Sequence, residues 1–110
     1  MWTYKYGKFD DNQVLNAKND MRKRIFFLLL CVDPKTKDNY TNININDAFE
    51  GTLTEFGGLC ELLDNPPQFV HIMSLLEAAL LEYNSENFNF RVYRKLVLDA
   101  GNEVLKIEEV

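Results

Sequence analysis

The chain has 110 residues, 46% of them apolar and 26% charged, with a formal net charge of −5 at pH 7. That length and apolar share suit one domain with a real core and exclude a disordered or fibrous class. The acidic balance argues against general nucleic-acid binding, which needs a basic face to displace counterions, and no apolar run approaches the ~20 residues of a membrane span.

Residues 1–9 (MWTYKYGKF) place Trp2, Tyr4 and Tyr6 on alternate positions and add Phe9 after Gly7. Alternation predicts an extended arm. Such an arm covers a groove on its own fold, or reaches a second subunit or a partner, because aromatics carry much of the energy of interfaces. Trp2, Tyr4, Tyr6 and Phe9 are therefore the candidate partner-binding residues.

Asp10, Asp11 and Asn12 offer N-caps for a first helix over 10–32. Val14, Met21, Ile25, Leu28 and Val32 share one stripe, and residues 25–32 are apolar all round. The C-terminal half is therefore expected to be the more deeply buried, and Pro34 stops the helix. Met21-Arg22-Lys23-Arg24 ahead of IFFLLLC has the look of a signal segment ending in a lipoprotein cysteine. Its apolar run is too short for that, and Leu30 is not the small residue cleavage requires.

Residues 35–45 read as a polar loop, in which Asn39-Tyr40-Thr41 matches a glycosylation acceptor that matters only in a secretory compartment. A second helix over 47–63 carries Phe49, Leu53, Phe56, Cys60 and Leu63 on one stripe. Thr52 with Glu55 fits a capping box, so a short turn from Asn46 and a main helix from Thr52 are expected. Gly57-Gly58 sits inside it at up to about 1 kcal/mol per glycine, which points to close packing of another backbone.

The clearest signal is the central helix over 66–83. Phe69, Met73, Leu76, Leu80 and Tyr83 recur at helical spacing, and Ile72, Leu75 and Ala79 widen the face. A helix so apolar belongs among several neighbours. Asn65 is read as its cap and Pro66 as its first residue. Residues 90–107 are ambiguous. As a helix they align Tyr93, Val97, Ala100, Val104 and Ile107; as a hairpin they would turn Arg94 into the core and lack a sheet to join. The helix is preferred. The expected architecture is an all-α single domain over 1–110, about four helices in a bundle or an irregular orthogonal array, with the extended aromatic arm.

Chemistry is sparse. His71 is the one histidine, on the polar side of the first turn of the central helix, where the dipole suits an anion. A metal site would have to recruit Glu61 or Asp64 without the usual histidine spacing. There is no Gly-x-Ser-x-Gly and no glycine-rich phosphate loop, and no cofactor is called for. Arg22-Lys23-Arg24 and Arg91, Arg94, Lys95 form two basic clusters, candidates for anion binding if they share a face. Cys31 and Cys60 lie in apolar runs and read as free thiols of a reducing, cytoplasmic setting. The expected function is a small non-enzymatic interaction protein, an adaptor or accessory subunit. It would act through a protein partner or by self-association through its arm or central helix. Nucleic-acid or anionic-partner binding at the basic clusters, and a metal- or His71-dependent activity, are the alternatives.

Overall fold

The computed structural model describes residues 1–107; the last three residues of the domain read over 1–110 lie outside the described residues. Two short strands, β1 (Trp2–Tyr4) and β2 (Gly7–Phe9), precede four helices. These are α1 (Asp11–Leu30), α2 (Ile45–Leu62), α3 (Pro67–Tyr83) and α4 (Phe90–Val104).

Polar side chains set three of the four helix starts. The Gln13 N–H donates to Asp10 Oδ1 at 2.8 Å while the Asp10 N–H donates to Gln13 Oε1 at 2.9 Å, a closed capping box. Asn44 caps α2 and Asn89 caps α4. The last segment is thus a helix, with Tyr93, Val97, Ala100 and Val104 all buried along one stripe.

α2 departs from expectation. It runs unbroken from Ile45, because Asn44 satisfies the free N–H groups two turns before Thr52. Thr52 is buried and its hydroxyl donates back to Ala48 O at 2.9 Å, so its capping box does not form. Nor does a backbone pack on the paired glycines. A Cβ at Gly57 would meet only Met73 Cε, at 3.4 Å, and at Gly58 nothing within 4 Å. The close approach lies at Gly101, where a Cβ would stand 2.5 Å from Phe26 Cε1.

The α2–α3 corner also reassigns a residue. Asp64 N–H donates to Glu61 O at 3.1 Å and Asn65 N–H to Cys60 O at 2.8 Å, the paired bonds of a Schellman motif. Asp64 and Asn65 have φ of 65° and 55°. Asn65 therefore closes α2 instead of opening α3, whose cap is Pro66 and whose first residue is Pro67. Within the polar loop, Lys37–Tyr40 forms a 3-10 turn that lays Tyr40 edge-on to Phe27 at 5.4 Å.

Contacts between helices fix their directions. His71 meets Glu103 while Tyr83 meets Phe88 and Tyr93, so α3 and α4 are antiparallel. Tyr93 with Leu28, and Lys18 with Ile107, make α4 and α1 antiparallel. Arg24 with Glu55 joins α1 to α2, and Asn84 with Asn46 joins α3 to α2. The result is a closed ring, α1 to α2 to α3 to α4 and back, in which α3–α4 is the most extensive pair. The short connectors after α2 and after α3 favour such neighbours. The bundle alternative is the one adopted, in a body of 43 × 23 × 21 Å.

Its core centres on Phe49, Phe56, Phe69, Ile72, Leu76 and Tyr93. Tyr93 is the hub: its hydroxyl donates to Leu28 O at 2.6 Å and its ring lies 6.2 Å from Phe49 and 6.3 Å from Tyr83. Burial pushes that hydroxyl far above its ordinary pKa, and Cys31 and Tyr83 push the same way. The N-terminal arm is a hairpin packed on the bundle. Trp2 pairs with Phe9 across the strands and meets Phe69 edge-on at 5.5 Å.

Candidate functional site

α1 occupies one place in a ring of four, so it has two helical neighbours and an outer face. Its second half is apolar all round, so part of that outer face is apolar too. Ile25, Leu28 and Cys31 are buried, Phe26 and Phe27 half-buried, and Leu30 is 39% exposed. The expected deep burial holds for the inner stripe alone. Asn19, Arg22, Lys23, Phe26, Phe27 and Leu30 line an open groove of about 450 Å3 along this face. Their steps of three and four place them on one side of the helix.

The groove is shaped by two contacts. Phe26 packs closely against α4 because Gly101 has no side chain to obstruct it. Arg22 then stacks on the outer face of that ring, its Cζ 5.2 Å from the centroid. The Arg22 Nε is buried with no hydrogen-bond partner among the described residues. The guanidinium is thus partly desolvated beside an apolar floor, where its attraction for an anion is stronger than in open water.

The rest of the basic residues do not form one patch. Consecutive helical residues point about 100° apart, so Arg22, Lys23 and Arg24 diverge. Arg22 and Lys23 border the groove, whereas Arg24 turns to α2 and pairs with Glu55 at 2.9 Å. On α4, Lys95 pairs with Asp99 at 2.9 Å. Arg91 and Arg94 are exposed, and among the described residues neither has an ion-pair partner. Arg94 stands two turns before Gly101 and so shares its stripe, flanking the α1–α4 seam.

Of the aromatic residues at the N-terminus, Trp2 is wholly buried and is part of the core. Tyr4 and Phe9 are half-buried and lie tilted against each other, ring centroids 5.4 Å apart. Tyr6 is 79% exposed at the hairpin tip, with Lys5 Nζ 5.5 Å from its ring. Four candidates for partner contact thus reduce to one side chain standing clear of the fold.

His71 Nδ1 lies 3.4 Å from Glu103 Oε1, and Lys106 Nζ 3.5 Å from Glu103 Oε2. The anion suited to the start of α3 is therefore supplied by the chain itself. Glu61 and Asp64 line a separate cleft of about 880 Å3 between the hairpin and the α2–α3 corner. Among the described residues there is no group of three or more His, Cys, Asp and Glu that could hold a metal ion. Cys31 and Cys60 are free and buried, and burial raises both thiols, with Glu61 adding to the effect at Cys60. No helix among the described residues is long and apolar enough to cross a membrane.

Comparison with family models, curated proteins and solved structures finds no match. The sequence marked Arg22 and Lys23 but not Phe26, Phe27 and Leu30 as surface. The signal was the all-round apolar run itself, which exceeds what a helix with two neighbours can bury.

Proposed function

We propose that this protein is a non-enzymatic interaction module, an adaptor or accessory subunit of the cytoplasm, and that α1 carries its docking face. The supporting observation is the groove of Phe26, Phe27 and Leu30 with Arg22 and Lys23 at its N-terminal end. Contiguous apolar surface rimmed by polar groups marks interaction sites, whereas scattered apolar residues do not. Phenylalanine and arginine are also enriched in interfaces.

The test is affinity capture at moderate salt with the native chain and with Leu30→Glu, after matching their circular dichroism and melting. A stoichiometric protein held by the native chain and lost from the variant is the expected result. Equal capture by both, or capture by neither, would remove α1 as the docking face.

A further inference from the structure

We propose that the occupant of the α1 groove is an acidic amphipathic helix of a partner protein. It would seat aliphatic side chains on Phe26, Phe27 and Leu30 and place carboxylates on Arg22 and Lys23. This rests on α1 being the docking face and adds the chemistry of what docks there.

Charge comes first. The chain carries −5 overall, yet the groove lining holds two cations and no anion. Like charges facing each other across an interface are strongly disfavoured. A symmetric pair of copies joined through this face would use the patch twice and so gather four cations and no carboxylate from the lining into one interface. A partner with acidic residues meets the reverse condition. Arg22 is also placed for it: its Cζ sits over the Phe26 ring at the groove, and a planar guanidinium matches a carboxylate in two parallel hydrogen bonds.

Shape comes second. The lining climbs from Asn19 to Leu30 at helical steps, a track about 16 Å long at 1.5 Å per residue. Rows of that kind are what the ridges of another helix fill, and a helix presents its anchors at matching spacing. An added strand would need free main-chain donors and acceptors, which the middle of a helix does not offer. Nucleic acid would need a run of cations along a phosphate backbone, and Arg24 and Lys95 are already tied to Glu55 and Asp99.

The experiment presents helical 16-residue peptides on a display library, with leucine and phenylalanine anchors fixed and the flanking positions drawn from Glu, Lys and Ser. Enrichment of Glu beside the anchors is expected. The enriched peptide should bind the native chain about tenfold more tightly than Lys23→Glu or Arg22→Glu/Lys23→Glu, on the scale of one or two exposed ion pairs. Changing its Glu to Lys should move the preference to the doubly substituted chain. Lys23 is exposed, so the single variant reports on charge even if Arg22→Glu loosens Phe26. Several outcomes overturn the proposal: no enrichment, no Glu bias, a Lys bias, or dimerisation of the native chain that Leu30→Glu abolishes. So does binding of a (dT)20 oligonucleotide that Lys23→Glu abolishes. Peptides without Glu bias that still require Leu30 would refute the acidic partner while leaving α1 as the docking face.

Discussion

Asp64 stands in the left-handed backbone position that glycine most often fills at a helix end, with φ at 65°. A side chain there costs roughly 0.5–1 kcal/mol relative to glycine. Asp64→Gly is expected to raise stability by about that amount in urea titration with an unchanged slope. Unchanged or lower stability would mean that the Asp64 side chain holds the corner in some other way. The sequence located this corner through Asn65-Pro66-Pro67 but put Asn65 on the wrong side of it. The reason is chemical: asparagine both caps helix starts and tolerates left-handed geometry at helix ends. Which role it takes depends on where α2 stops, and no single residue states that.

At the level of elements, Gly101 and Phe26 form one device in which a missing methyl lets a ring lie against a helix. Alanine there gains up to about 1 kcal/mol of helix propensity, while displacing a packed ring costs about 1–3 kcal/mol. Gly101→Ala is expected to lower stability by about 1 kcal/mol. In a Phe26→Leu background the same change should instead raise it. A double-mutant cycle measures the coupling, and additive effects would show that the ring moves aside freely. Helical periodicity made the four helices readable, including the ambiguous last one. Ring order is not in any one helix's pattern, so the outward share of α1 was not readable, and Trp2 read as an arm residue because its wall, Phe69, lies on a distant element.

For the molecule as a whole, Tyr93 ties α1, α2 and α3 to α4, and its ionisation is opposed by burial. An unfolded tyrosine ionises near pH 10, below the folded value, so the unfolded state releases its proton first. The Tyr93 contribution is then fully present below about pH 10 and declines above it. The buried thiols of Cys31 and Cys60 act in the same sense, so the decline should begin near pH 9. Tyr93→Phe should cost about 1 kcal/mol at neutral pH through the lost bond to Leu28 O. It should also make the loss of stability above pH 10 shallower by up to about 1.4 kcal/mol per pH unit. A variant with the native slope would place the alkaline sensitivity in other groups.

The seat of Trp2 against Phe69 also bears on biosynthesis. The two are separated by 66 intervening residues, which at roughly 5–20 residues per second keeps the ring without its wall for several seconds of translation. Phe26 of α1 waits a little longer, since Gly101, against which it packs, lies 75 positions on. The Trp2 ring and the apolar second half of α1 are thus both made well before the residues that cover them. During synthesis these apolar groups are therefore exposed in a way that the finished bundle no longer shows.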